Sequence, residues 1–306
     1  MELFYKTANF IQERQMDFEV WPGPMEGVGK GGFIAAVNQL QLVHRWMTPF
    51  VRLSQNLPGT GKLKSFYSGF AASNVPVCVQ LMGIDPVLLA EAGTVFMKLG
   101  AESINLNFGC PSSRVVSGGA GGGALKNPAA LEKFCAEVKA GLPDGTSLSV
   151  KLRCGWETPE EMENILPPIV NSGAVDKIFF HHRTVKELYI PLPHEERIRR
   201  FRRSVELSNG IPVIINGDIS SVEDAVNAVK ASGSAGVMIA RPWLRDPWLL
   251  RRFTDHATPE AEAGRQIFFD TAIANHVSHG GLLELARMLW GSDHPRFKAL
   301  LNSECG

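Results

Sequence analysis

Residues 103–111, Ser103-Ile104-Asn105-Leu106-Asn107-Phe108-Gly109-Cys110-Pro111, read as a short strand that runs into a Gly/Pro turn and presents a thiol there. The same unit, a β-rich apolar run, a polar or Gly/Pro cluster and a longer helical segment, recurs along the chain. The runs are Phe18 to Trp21, Trp46 to Leu53, Val75 to Leu81, Ser103 to Asn107, Leu148 to Leu152, Lys177 to His181, Pro212 to Asn216 and Ala235 to Ile239. Helical spacing falls between them, at Pro86 to Leu99, Pro128 to Ala140, Pro159 to Asn171 and Ser221 to Ala231. Pro86, Pro128 and Pro159 each follow a capping residue, Asp85, Asn127 and Thr158, which marks helix starts. Eight strand-helix units predict an α/β fold closed into a (β/α)8 TIM barrel. An open doubly wound sheet is the alternative, and the eight regular units favour the closed barrel over it.

Working outward from these repeats, residues 18–252 form the expected barrel and residues 1–17 an N-terminal extension. The pattern changes after Arg241, and residues 253–306 read as a small C-terminal helical subdomain with helices over Ala261 to Ser278 and Gly281 to Trp290. With 44% apolar and 20% charged residues the composition is that of an ordinary globular protein, and no apolar run of about 18 residues suggests a membrane span. The charged N-terminus lacks the apolar core of a secretory signal, so the expected location is cytoplasmic. Five scattered cysteines without a CxxC pair argue against a disulfide framework and against a zinc site. The zero formal charge gives no overall attraction to nucleic acid, and any such partner must meet a local patch.

In a barrel of this kind ligands bind at the carboxyl ends of the strands, and polar residues gather there in this chain. They are Pro24 and Met25 with Glu26, Gln80, Asn107 and Cys110, Lys151 and Arg153, His181 to Thr184, Asn216 to Asp218, and Ala240 with Arg241. Asn216-Gly217 after the seventh strand and Ala240-Arg241 after the eighth occupy the place where barrels commonly bind a phosphate, which implies a phosphate-bearing cofactor. Glycine-dense Ser117 to Leu125 follows Cys110 at once and is expected to be a loop that approaches a ligand. Each residue has a plainer reading. A lone Cys is usually buried filling, as expected for Cys78 and Cys135, Lys151 could be a solvated strand-end charge, and Asn216-Gly217-Asp218 could be only a turn. Adjacent His181 and His182 should point to opposite faces of a strand, so only one is expected to face the interior. Co-occurrence in strand order favours the functional reading.

Those motifs together resemble the tRNA-dihydrouridine synthase family over about residues 18–252, most closely the bacterial dihydrouridine synthase C branch. The resemblance rests on Pro24-Met25-Glu26-Gly27-Val28, Val79-Gln80-Leu81-Met82-Gly83, Asn107-Phe108-Gly109-Cys110-Pro111-Ser112, Gly121-Gly122-Gly123-Ala124-Leu125, Val150-Lys151-Leu152-Arg153, His181-His182-Arg183-Thr184, Asn216-Gly217-Asp218-Ile219 and Val237-Met238-Ile239-Ala240-Arg241. It implies FMN across the barrel mouth, with Pro24 and Met25 packed on the flavin and Gln80, Lys151 and His181 at the ring's polar edge. The phosphate falls to Asn216, Gly217, Ala240 and Arg241, with Asp218 beside them. The implied reaction is reduction of uridine, at position 16 of tRNA in that branch, to 5,6-dihydrouridine at the expense of NADPH. Hydride goes to C6 and a proton from Cys110 to C5, while Asn107, Arg153 and Arg183 hold the uracil. A thiol of ordinary pKa near 8.5 is mostly protonated at neutral pH and can serve as that acid.

The chain departs from the family where His182 and Ala240 replace glycines, His182 adding bulk where cofactor or substrate comes close. The family's C-terminal domain is a basic bundle that grips tRNA, whereas residues 253–306 carry seven Asp/Glu against four Lys/Arg, a balance that repels phosphate. The cluster Arg197, Arg199, Arg200, Arg202 and Arg203 is the sequence's substitute for that grip, unless it is a solvated helix face. The expected partner is tRNA, with no membrane and no metal, and the chain is expected to act as a monomer. Two rival readings stay open: a flavin reductase acting on a free pyrimidine or other small molecule, and a non-catalytic flavin- or RNA-binding barrel.

Overall fold

The computed structural model describes residues 17–25, 31–255 and 257–303. Of the expected N-terminal extension only Asp17 lies within them; Glu26 to Val28 and Cys305 lie outside. Nine strands form one parallel sheet: β1 (Glu19–Pro22), β2 (Trp46–Met47), β3 (Val51–Arg52), β4 (Val77–Met82), β5 (Ser103–Phe108), β6 (Ser147–Arg153), β7 (Lys177–His181), β8 (Val213–Asn216) and β9 (Gly236–Ile239). Hydrogen-bonded neighbours run β1-β9-β8-β7-β6-β5-β4-β2, β3 also pairs with β4, and β1 meets β2. The result is a nearly closed barrel.

Alternation along the strands sorts side chains into two cores. Val77, Val79, Leu81, Ile104, Leu106, Leu148 and Val150 pack outward under the helices. Inward, Trp21, Met47, Cys78, Phe179, Ile214 and Met238 plug the barrel. Above this plug the inward positions turn polar, at Gln80, Asn105, Asn107, Ser149 and Lys151, and this is what makes the upper end a site.

The expected single strand Trp46 to Leu53 is two strands. Between them, one more residue is spent than on β4, because Met47 is level with Cys78 and Val51 with Leu81. Pro49, with no N–H to give the ladder, lies in that interruption and turns to the cavity.

The helices are α1 (Gly31–Gln39), α2 (Thr60–Ala71), α3 (Pro86–Lys98), α4 (Ser113–Val116), α5 (Leu131–Gly141), α6 (Met162–Asn171), α7 (His194–Leu207), α8 (Val222–Ser232), α9 (Arg241–Arg245), α10 (Ala261–Ala274), α11 (His279–Trp290) and α12 (Pro295–Asn302). Asp85 caps α3 as expected, accepting from the N–H groups of Val87 and Leu88 at 2.9 and 3.2 Å. Asn127 makes no such bond, and a 3-10 turn at Pro128–Ala130 leads into α5 instead. The helix expected through Ser278 stops at Ala274. His276 has a φ of +57° there, and Ser278 caps α11 by accepting from Gly281. α10 leans on the barrel through Phe268, whose ring meets Phe33 of α1 edge-on at 5.5 Å. Among the described residues no helix is long and apolar enough to cross a membrane.

Candidate active site at the mouth of the barrel

A cavity of about 730 Å³ opens at the carboxyl ends of the strands, lined by Pro24, Met25, Gln80, Asn107, Cys110, Lys151, Arg153, His181, Arg183, Asn216, Gly217, Asp218, Ala240 and Arg241 of the residues expected there, but not by His182 or Thr184. One large concave site with a few convergent polar groups is the usual form of a small-molecule pocket.

Cys110 reaches it from a turn that is tied down on both sides. The Asn107 Oδ1 accepts from the backbone N–H groups of Gly109 and Cys110 at 3.0 and 2.9 Å, and Arg153 Nε donates to the Gly109 carbonyl at 3.0 Å. The glycine-rich stretch does not line the cavity as expected. It coils as a 3-10 helix, Gly121–Lys126, behind the turn, and the Gly122 N–H donates to the Cys110 carbonyl at 3.0 Å. A Cβ on Gly121 would stand 3.0 Å from the Cβ of Cys110, and one on Gly122 would stand 2.7 Å from Val185. Close packing against the thiol turn, not access to a ligand, requires these glycines.

On the floor, burial and the neighbouring Arg153 lower the pKa of Lys151 to about 8. Among the described residues Lys151 has no carboxylate and no hydrogen-bond acceptor. Burial, with Arg153 next, pushes His181 well below its ordinary value, so its imidazole is neutral at pH 7. The Arg183 backbone N–H donates to His181 Nδ1 at 3.2 Å, which places the ring proton on Nε2. Only His181 of the two histidines lines the cavity, as expected, although the rings do not diverge to opposite faces. β7 ends at His181, and the rings stack at 5.1 Å with an interplanar angle of 8°. The bulk of His182 therefore lies behind Gly217 rather than on the cavity wall, edge-on to Phe201.

Asp218 is held well below the usual carboxylate range by His182 and Arg183, and the Arg183 guanidinium grips both its oxygens. Arg183 also donates to the Ile190 carbonyl, so its Nε, Nη1 and Nη2 are all engaged within the protein. Arg153 gives Nε and Nη1 to backbone carbonyls and keeps Nη2 without a partner among the described residues. Arg241, half exposed, stands 3.8 Å from Asp218 and 4.6 Å over the ring of Tyr189. Ala240 has a negative φ of −110°, as a residue with a Cβ requires.

Sequence reasoning missed Pro49, Phe50, Tyr189, Arg245 and Met288, which also line the cavity. Tyr189 had a signal: Leu188-Tyr189-Ile190 is an apolar run after β7 that no helical or strand period explains, and all three are exposed. Met288 comes from α11, whose approach to the mouth is a tertiary fact.

The arginine cluster of α7 is not a free basic surface. Arg200 is buried on Glu187 and Glu196, Arg197 pairs with Asp224, Arg199 with Glu196, and Arg203 with Glu163 and Glu206.

Comparison with known proteins bears on this site. The family model described as "Dihydrouridine synthase (Dus)" matches residues 22–281. A tRNA-dihydrouridine(16) synthase of Pseudomonas syringae pv. tomato is 30% identical over 234 residues, 75% of this chain and 72% of that protein. A probable tRNA-dihydrouridine synthase of Rickettsia conorii is 35% identical over 181 residues, 58% of this chain and 52% of that one, so the match spans about half the length of this relative. Among solved structures, morphinone reductase superposes with a TM-score of 0.53 at 12% identity over 82% of this chain and 88% of that one, a likeness of fold.

Proposed function

The chain belongs to the dihydrouridine synthase family, and from that premise we propose that it reduces uridine in tRNA to 5,6-dihydrouridine with bound FMN and NADPH as reductant. Cys110 is the proton donor, and the target is position 16, as in the relative's name. The residues present suit a phosphorylated, polar-edged cofactor. Lys151 brings to the floor a cation with no counter-ion among the described residues, His181 brings an Nε2–H donor, and Arg241 stands at the rim beside the Asn216-Gly217 turn. Pro24 and Met25 supply apolar wall, and the sole carboxylate among these residues, Asp218, is occupied by Arg183. Bound flavin, reduced by NADPH, supplies the hydride that adds to C6 of the uracil.

The chain's own residues do the rest. Asn107 and Arg153 hold the Cys110 turn, so the thiol faces the cavity and gives its proton to C5 as the anion forms there. Arg153 Nη2 and the second N–H of the Asn107 amide address the uracil carbonyls. Arg183 acts on the base indirectly, by fixing Asp218 and the Ile190 carbonyl. Lys151 and His181, beside Gln80, would hold the polar edge of the flavin, and Asn216, Gly217, Ala240 and Arg241 would hold its phosphate. Tyr189 at the rim offers a flat face to a base turned out of its stack, as an enzyme acting on a base inside a folded RNA needs. The chain acts as a monomer in the cytoplasm, where tRNA is.

The observation that carries this reading is the convergence of a pinned thiol turn and uncompensated donors in one cavity. tRNA from a dihydrouridine-free strain should gain dihydrouridine when this chain is expressed, and the purified protein should be yellow. A colourless protein, or tRNA that stays unmodified, overturns it.

A further inference from the structure

Beneath the Cys110 turn an unbroken chain of side-chain hydrogen bonds runs across the barrel interior. Gln80, Asn105 and Ser149 are level with one another on β4, β5 and β6. Gln80 and Asn105 are fully buried, and Ser149 and Asn107 nearly so. Ser149 Oγ donates to the Ile104 carbonyl at 3.2 Å and accepts from Asn105 Nδ2 at 2.9 Å. Asn105 Oδ1 accepts from Gln80 Nε2 at 2.8 Å, and Gln80 Oε1 accepts from Asn107 Nδ2 at 2.8 Å. Asn107 Oδ1 then takes the two N–H groups of the thiol turn.

The chain has a direction, fixed at one end by the Ile104 carbonyl on Ser149 and at the other by the Gly109 and Cys110 N–H groups, which can only donate. A carbonyl can only accept, so the Ser149 proton goes to Ile104 and its lone pair must face a donor, Asn105 Nδ2. That leaves Asn105 Oδ1 for Gln80, which must present Nε2 to it and Oε1 to Asn107. Met47 Sδ, a weak acceptor 3.5 Å from Gln80 Nε2, agrees with the same orientation. Reversing any one amide sets oxygen against oxygen and nitrogen against nitrogen. In a water-excluded interior that arrangement is costly, so the state of one end is transmitted to the other.

We propose that Ser149 and Asn105, which are remote from the cavity, are positioning residues for Cys110: they fix the orientation of the Gln80 and Asn107 amides and so hold the thiol turn in its proton-delivering pose. The proposal rests on the acid role assigned to Cys110. Ser149→Ala removes the acceptor that orients Asn105, whereas Ser149→Thr keeps a hydroxyl.

Two readouts test it on the full chain. In the protein as isolated, alkylation of Cys110 by iodoacetamide, located by peptide mass, should be several-fold faster in Ser149→Ala because the turn is released. In the FMN-loaded enzyme, kcat for tRNA should fall about tenfold, a misplacement effect. KM for tRNA and the rate of flavin reduction by NADPH should stay within about twofold, and Ser149→Thr should restore both thiol reactivity and kcat. Asn105→Ala, expected to behave as Ser149→Ala does, serves if that variant fails to fold. Wild-type alkylation and kcat in the folded Ala variant, or a loss carried by KM or by flavin reduction, would overturn the proposal. A wild-type protein that makes no dihydrouridine would refute the proposed function, while the alkylation comparison would still decide whether Ser149 and Asn105 hold the turn.

Discussion

A lysine on the floor of a cavity without a counter-ion destabilises the fold that contains it, and Lys151 has none among the described residues. Its pKa of about 8 when folded lies below the ordinary 10.5, so between these values the unfolded chain binds more protons. The sign follows: the penalty is fully present below about pH 8, and stability rises with pH from there to about 10.5. Lys151→Met, similar in length and uncharged, should stabilise the ligand-free protein at pH 7 by on the order of 1–3 kcal/mol and flatten that rise, measured by thermal unfolding across pH. The same variant should bind FMN more weakly. At the rim, Arg241→Ala should weaken FMN retention on dialysis, because a charge-assisted phosphate contact is lost; unchanged flavin content would place the phosphate elsewhere. At this scale the sequence was a good guide, since strand-end polar residues converge in any closed parallel barrel. It could not show that Arg183 would be used up on Asp218, because that pairing joins the ends of two strands 35 residues apart in sequence.

At the scale of elements, the turn after β5 depends on the glycines behind it. A Cβ on Gly122 would stand 3.0 Å from the Cys110 carbonyl as well as against Val185, and little there can yield. Gly122→Ala should cost about 1–3 kcal/mol in unfolding free energy, as overpacking does, and should lower activity beyond what the fraction folded explains. Strands and helices were legible because apolar alternation and Pro-led starts are local signals. The break at Pro49 was less so, since residues 46–53 keep β character on both sides and the extra residue shows only against β4. The glycine run was misread for a similar reason. Backbone freedom in a sequence says that something comes close, and here the close neighbour is the protein itself.

For the whole molecule, the question is where an RNA would lie. Residues 253–306 are acidic on balance, and of the α7 arginines only Arg202, which donates to the Ala231 carbonyl, lacks a carboxylate partner among the described residues. Arg52, Arg114 and Arg245 stand at the carboxyl end of the barrel without a carboxylate partner among the described residues, and they are the better candidates for phosphate. Arg199→Ala with Arg203→Ala should therefore leave KM for tRNA within about twofold, whereas Arg52→Ala with Arg114→Ala should raise it and reduce its salt dependence by about one to two counterions. The most direct test of the central claim is dihydrouridine formation at position 16 of an unmodified tRNA by the FMN-loaded protein with NADPH, comparing wild type with Cys110→Ala. Wild type should convert the uridine, and the variant should keep its FMN while turnover falls by about two to four orders of magnitude. Equal turnover by the two proteins, or none by the wild type, would contradict it.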